Sequence, residues 1–256
     1  MTQNPESTQF GTQTVTPQEK TARVHGVFDS VASNYDIMND LMSGGLHRLW
    51  KDRFVRIIRP KPHHRILDVA GGTGDIAFRL HKTKNRPPTT DHRPPITICD
   101  LTPAMLQTGR DRAIDKGWLN GFDWITGNAE ALPFPDNHFD LYTIAFGLRN
   151  VTRIDQALTE AHRVLKPGGR FFCLEFSHVR NPILAKAYDV YSYAAIPKIG
   201  KIVAKDEDSY QYLVESIRKF PKQKQLANRL KAAGFATASY ENMTGGIVAI
   251  HQALKT

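Results

Sequence analysis

Ala70-Gly71-Gly72-Thr73-Gly74-Asp75 is a glycine turn that would let the backbone approach a ligand closely. It follows Arg65-Ile66-Leu67-Asp68-Val69-Ala70, an apolar run that reads as a strand, and precedes Asp75 to Lys82, which reads as a helix. The N-terminus of such a helix offers N–H groups that have no partner within it. The next apolar run, Ile96-Thr97-Ile98-Cys99-Asp100, ends in a carboxylate. A carboxylate there can accept hydrogen bonds from both hydroxyls of a ribose. Turn and carboxylate together point to an adenosine-containing cofactor. Gly72, Gly74 and Ala77 also fit the looser G-x-G-x-x-A dinucleotide pattern. The turn alone therefore leaves nicotinamide chemistry open beside other adenosine chemistry, and a plain tight turn beside both.

The elements that must position these residues follow a regular alternation. Pro103 suits the first turn of a helix running to about Lys116. Phe122–Thr126 and Phe139–Phe146 read as strands, the second apolar on both faces as a central parallel strand should be. Ile154–Leu165 reads as a helix stopped by Pro167-Gly168-Gly169, and Arg170–Phe176 as a strand. Lys222–Ala233 is a further helix. The runs at 235–241 and 246–253 leave no room for a helix between them and predict an antiparallel pair. The fold class is α/β: a mostly parallel seven-stranded sheet with helices on both faces and an antiparallel C-terminal strand. Ligands of such sheets sit outside the carboxyl ends of the strands.

Residues 1–20, polar and rich in Thr and Gln, predict a disordered tail without the apolar core of a signal peptide. Residues 21–256 predict a single domain, with an N-terminal helical lid at about 23–60 and a helical insertion at about 182–220. Residues 83–95 carry four prolines and predict an irregular loop. Cys99 and Cys173 lie in separate strands and predict reduced core thiols, with no metal site. The formal charge of +9 favours anionic partners, whether nucleic acid, acidic lipid or acidic substrate. No apolar stretch is long enough to span a bilayer.

Two further segments narrow the chemistry. Tyr35-Asp36-Ile37-Met38-Asn39-Asp40-Leu41-Met42-Ser43, with His47 and Trp50, resembles the first signature of the ubiquinone/menaquinone biosynthesis C-methyltransferase family. Arg163-Val164-Leu165-Lys166-Pro167-Gly168-Gly169-Arg170, continuing to Glu175 and Ser177, resembles its second. Asn128-Ala129-Glu130-Ala131-Leu132-Pro133-Phe134, Phe146-Gly147-Leu148-Arg149-Asn150 and Asp208-Ser209-Tyr210-Gln211-Tyr212-Leu213 also look like that family. The likeness covers about residues 22–254. It implies a class I methyltransferase, Rossmann-like in fold, with S-adenosylmethionine as cofactor. It implies as substrate a prenylated quinol, either a demethylmenaquinol or a 2-methoxy-6-polyprenyl-1,4-benzoquinol. Carried over, the cofactor contacts are Gly71, Gly72, Thr73 and Gly74 in the turn, Asp100 on the ribose, and Asn128 and Ala129 beside the adenine. Ala145 stands where many members have a serine, so one hydroxyl contact is missing.

A ring carbon becomes nucleophilic enough only when a neighbouring quinol hydroxyl, with pKa about 10, loses its proton. Three catalytic candidates follow. Arg149, after the fourth strand, would stabilise the oxyanion; arginine stays protonated and is a poor base. His47, with an ordinary pKa near 6.5, could take the proton. Tyr35 lies with it in the lid. Tyr188, Tyr191 and Tyr193 flank a ring or fill a core. Basic clusters at Lys51, Arg53, Arg56, Arg59, Lys61 and Arg65, at Arg79, Lys82, Lys84, Arg86 and Arg93, and at Lys198, Lys201 and Lys205 predict contact with an anionic membrane if they share a face. The expected setting is cytoplasmic, at the inner face of the membrane. A homodimer or a quinone-synthesis complex stays open. An RNA methyltransferase fits the charge, but the chain shows no appended RNA-binding module and no nucleic-acid partner is expected. A non-catalytic lipid-binding subunit would not need the glycine turn.

Overall fold

A computed structural model of the chain describes residues 7–10, 13–31, 40, 43–83, 94–179, 182, 186 and 207–256. The main sheet is built from β3 (Ile66–Val69), β4 (Ile96–Asp100), β5 (Phe122–Thr126), β6 (Phe139–Ala145), β7 (Leu165–Phe176), β8 (Thr237–Met243) and β9 (Val248–Leu254). Ahead of it come a hairpin, β1 (Thr8–Phe10) and β2 (Gln13–Val15), and two helices, α1 (Pro17–Val31) and α2 (His47–Ile58). α3 (Asp75–Thr83), α4 (Pro103–Asp115), α5 (Ile154–Val164), α6 (Glu207–Lys219) and α7 (Gln223–Ala232) complete the described helices. The strand order is β5-β4-β3-β6-β7-β9-β8. Neighbours from β5 to β7 are parallel, and β9 runs antiparallel to β7 and β8. The chain leaves β3 toward β4 and β5, then returns to β6 on the other side. That reversal opens a crevice at the carboxyl ends of β3 and β6.

Side chains alternate across the strands and so build two cores. Ile66, Ile98, Leu141, Phe172, Leu174 and Ile250 pack on one face with Trp50, Phe54 and Ile58 of α2 and Leu80 of α3. Leu67, Val69, Cys99, Tyr142, Phe171 and Cys173 pack on the other with Leu158 and Val164 of α5 and Leu226 and Leu230 of α7. Both cysteines are buried and unpaired. Burial pushes the Cys99 thiol up to about 12, which leaves it inert.

Part of the expected tail falls among the described residues. Thr8 pairs with Val15 and Phe10 with Gln13, and α1 already begins at Pro17. The signal lies in Thr16-Pro17-Gln18-Glu19. The Glu19 N–H donates to Thr16 Oγ1 at 3.2 Å and the Thr16 N–H to Glu19 Oε2 at 2.9 Å, a reciprocal cap at the helix start. Phe10 stacks on Tyr212 of α6 at 4.2 Å. Polar composition hides both devices. A second shift is at β7, which starts at Leu165 rather than Arg170. Gly168 donates to the Lys255 carbonyl and Lys255 to that of Gly169, so pairing with the chain's end carries on past the turn.

The basic clusters do not form a common face among the described residues. Lys51 is buried, Arg53 is bound to Glu241, and Arg79 is bound to Asp75 and Asp52. Arg56, Arg59, Lys61 and Arg65 are exposed where α2 ends and β3 begins, away from the crevice. Lys84, Arg86, Arg93, Lys198, Lys201 and Lys205 lie outside the described residues, as do most of the proline loop and the tyrosines at 188, 191 and 193. Of the segment 182–220, α6 is the described part, with residues 182 and 186.

Candidate active site

The crevice is set by two turns in left-handed backbone. Ala70 (φ 49°) ends β3 and Phe146 (φ 56°) follows β6. Non-glycine residues there are uncommon, and such strain gathers at functional sites. Gly147 lies so close to β3 that a Cβ on it would meet Ala70 Cβ at 2.4 Å. The chain segments leaving β3 and β6 thus approach closely at Ala70 and Gly147.

Asp100 is the most firmly placed polar group at the site. The Gly72 N–H donates to its Oδ2 at 2.8 Å, and the Thr102 N–H to its Oδ1 at 2.9 Å. Two backbone donors fix the carboxylate plane, while the four acceptor sites of a carboxylate leave room for ligand hydroxyls. Gly71 permits this approach, since a Cβ there would meet Ile98 Cγ2 at 2.7 Å. The cleft is floored by Gly72, Asp100 and Gly147, walled by Leu101, Met105 and Ala129, and roofed by Thr21 and Val24 of α1. Apolar Leu101, Met105 and Ala129 beside a fixed carboxylate fit a base and its ribose, so the residues present match an adenosine cofactor.

The expected residues divide here. Gly72, Asp100, Asn128 and Ala129 line the cleft. Asn128 Oδ1 accepts from the Glu130 N–H at 2.9 Å, which holds the segment in a tight turn. Thr73 is buried, and its Oγ1 accepts from Arg112 of α4 at 3.0 Å. Thr73, with Gly71 and Gly74, shapes the turn and is not among the lining residues. Tyr35 lies outside the described residues.

Arg149 is held in a buried ion pair. Its side chain is 2% exposed, and its guanidinium donates to Glu175 Oε1 at 2.9 Å and to the Phe146 carbonyl. The Arg149 N–H donates to Glu175 Oε2 as well. Arg149 sits in the short 3₁₀ turn Leu148–Asn150 after β6 and is not among the residues that line the cleft. The next residue, Asn150, lines the cleft instead, with its Oδ1 accepting from the Tyr212 hydroxyl at 3.2 Å. Sequence reasoning quoted this asparagine but passed over it. It also missed Thr21, Val24 and Thr152, which fall in segments with no ligand signature of their own, and Glu130, which lies inside the Asn128–Phe134 motif.

His47 is buried at the start of α2. Its Nε2 lies 2.8 Å from Asp40 Oδ1, its N–H donates to Ser43 Oγ, and its Nδ1 has no hydrogen-bond partner. Burial first, and then Lys51, lowers its pKa. The ring has the neutral state of a base, but it is not among the cleft residues.

Beneath the glycine turn, Asp68 is fully buried. Thr143 Oγ1 donates to its Oδ1 at 2.7 Å, and Oδ2 has no partner. Burial raises its pKa to about 7, against the opposing pull of Thr143. The folded chain therefore holds a proton that the unfolded chain releases between about pH 4 and 7. Stability falls as pH rises through that window, by on the order of 4 kcal/mol at most. Asp68→Asn should gain on the parent chain in urea-unfolding midpoint from pH 5 to pH 8. A constant difference across that range would show that Asp68 does not titrate there.

The family model described as the ubiE/COQ5 methyltransferase family matches residues 16–255. A Cereibacter sphaeroides protein named ubiquinone/menaquinone biosynthesis C-methyltransferase UbiE is 55% identical, over 97% of this chain and 97% of its own length. A Danio rerio protein named 2-methoxy-6-polyprenyl-1,4-benzoquinol methylase, mitochondrial, is 51% identical over 97% of this chain and 84% of its own. Among solved structures, a SAM-dependent methyltransferase from Thermotoga maritima superposes with TM-score 0.61 at 18% identity, covering 90% of this chain and 99% of that one. An N-methyltransferase from Haemonchus contortus, in complex with S-adenosylhomocysteine, superposes with TM-score 0.64 at 14% identity, covering 91% and 60%. At these identities the structural likeness speaks for the fold, that of class I methyltransferases.

Proposed function

The chain belongs to the ubiE/COQ5 methyltransferase family, and from that premise we propose that it methylates a ring carbon of a prenylated quinol at the cleft above β3, β4 and β6. The observation that carries this is Asp100, a carboxylate locked by two backbone N–H groups beside the glycine turn and open to the cleft. S-adenosylmethionine bound there supplies an electrophilic methyl group. Asp100 holds its ribose hydroxyls, Gly72 gives its backbone room, and Leu101, Met105, Asn128 and Ala129 receive the base. Thr21 and Val24 line the cleft from α1 and help exclude water, which strengthens the electrostatic interactions that a methyl transfer relies on. At the β6 end, the Asn150 amide, oriented by Tyr212, is the polar side chain presented to an acceptor oxygen. Arg149 serves that end indirectly, by holding the Phe146 carbonyl in place.

Among the described residues no helix is long and apolar enough to cross a membrane. A polyprenyl substrate must then be met at the bilayer surface. Leu46 and Leu49, 37% and 63% exposed at the start of α2, are the apolar side chains available for that contact. They stand where Trp50 packs on Phe146, at the crevice end of the helix.

The test is turnover. The full chain, methyl-labelled S-adenosylmethionine and a reduced short-chain demethylmenaquinol or methoxy-benzoquinol should yield label on a ring carbon. The ratio of the two products assigns the acceptor. Vesicles of acidic phospholipid should raise turnover of long-chain substrate, and Leu49→Glu should remove that gain while sparing the short-chain reaction. Cofactor binding with neither quinol methylated, in vesicles or out, would overturn the substrate assignment.

A further inference from the structure

Lys51 breaks the pattern of its helix. Its neighbours Asp52 and Arg53 are exposed, yet its side chain is 5% exposed. A lysine is almost never fully buried unless paired. Its Nζ donates to Asp75 Oδ2 at 2.7 Å and lies 6.0 Å from the centre of the Phe146 ring. Asp75 begins α3 directly after the glycine turn, and Phe146 follows β6. The ammonium therefore stands between Asp75, at the end of the turn, and Phe146, which lines the cleft; Lys51 itself is not among the lining residues. Asp100 stands on the β4 side of the turn.

Asp75 does not depend on Lys51 alone. Arg79 Nε donates to its other oxygen at 2.9 Å. An ammonium has three donors, and among the described residues Asp75 accepts one of them. The remaining donors and the charge suit a small anion at the crevice. A ribose held by Asp100, with its base toward Leu101 and Met105, sends the rest of the cofactor across the turn toward β6. The one anionic group of that remainder is its carboxylate.

We infer that Lys51 binds the carboxylate at the amino-acid end of the cofactor, a role that rests on the cofactor assignment above. Asp75 and Arg79 hold the ammonium in place, and α2 thereby couples the lid side of the molecule to a filled site. The sequence-level view of Lys51 as one of a run of surface cations does not survive its burial.

Calorimetric titration of the full chain with two probes tests this. S-adenosylhomocysteine carries the amino-acid end; 5′-methylthioadenosine keeps the adenosine and the thioether but lacks it. Lys51→Met should weaken S-adenosylhomocysteine roughly tenfold or more, as loss of a charge-assisted hydrogen bond does. It should leave 5′-methylthioadenosine within about a factor of two of the parent chain. Lys51→Arg should recover part of the loss. Should Lys51→Met not fold, Lys51→Met with Asp75→Asn removes the carboxylate that the single change leaves with one cation, and the same contrast is expected. Equal losses for both probes, or no loss for either, would overturn the assignment. A parent chain that binds neither probe would overturn the cofactor site itself, and this role with it.

Discussion

Asp100→Ala abolishes calorimetrically detectable binding of S-adenosylhomocysteine, a loss expected to exceed about a hundredfold. The size follows from what the carboxylate does twice over. It accepts from Gly72 and Thr102, and so holds the glycine turn against the start of α4. On the function proposed above it would also accept from the ribose hydroxyls. Hydrogen bonds to a charged group contribute roughly 1.5–3 kcal/mol each. Losing two ligand bonds removes about 3–6 kcal/mol before any relaxation of the turn. Asp100→Asn should fall between, because the amide keeps one acceptor oxygen but turns an NH₂ toward a backbone N–H. A thermal shift provides the second readout. Saturating ligand stabilises the parent chain by mass action and should leave the alanine variant unmoved. An alanine variant that binds within tenfold of the parent would remove Asp100 from the site.

What could be read from the chain and what could not divides along physical lines. The glycine turn and Asp100 were legible because each is a local backbone demand: close approach at Gly71, and a carboxylate at a strand end. The central strands were legible for the same kind of reason, since Ile66–Val69 and Phe139–Ala145 bury both faces and leave few polar positions. The antiparallel pair at the end followed from a connection too short for a helix. Direction of a side chain is another matter. Arg149 and Asn150 are neighbours in one motif, and a single 3₁₀ turn sends one into an ion pair and the other into the cleft. Lys51 and Arg53 are two apart on one helix, which places them on different faces, but only the packing of α2 against α3 decides which face is inside. The roof was illegible for a third reason. Thr21 and Val24 lie where the expected helical lid begins, a segment with no ligand motif, and distant partners hold the chain just before them: Lys20 donates to the Val151 carbonyl and Phe10 stacks on Tyr212.

Arg149 is where sequence and structure lead to opposite experiments. An oxyanion-stabilising arginine predicts a stable, cofactor-binding and inactive Arg149→Ala. The buried pair predicts an unstable one. Glu175 is fully buried, and burial lifts its pKa even though Arg149 and the N–H groups of Phe176 and Arg149 pull it down. Taking the guanidinium away leaves that carboxyl without a counter-charge and frees the Phe146 carbonyl beside the crevice. Breaking a buried pair from one side costs about 3–5 kcal/mol, whereas replacing both partners is often near neutral. Arg149→Ala should therefore lower the unfolding free energy by that amount, read as a fall in the urea midpoint, and Arg149→Met with Glu175→Gln should recover a substantial part of it, since glutamine carries no charge to compensate and still accepts from one of the two backbone N–H groups. Turnover should then follow the folded fraction more closely than the identity of residue 149. If Arg149→Ala keeps the parent's stability within about 1 kcal/mol and still loses turnover by orders of magnitude, the guanidinium must leave Glu175 during the reaction. The catalytic role would then return to it.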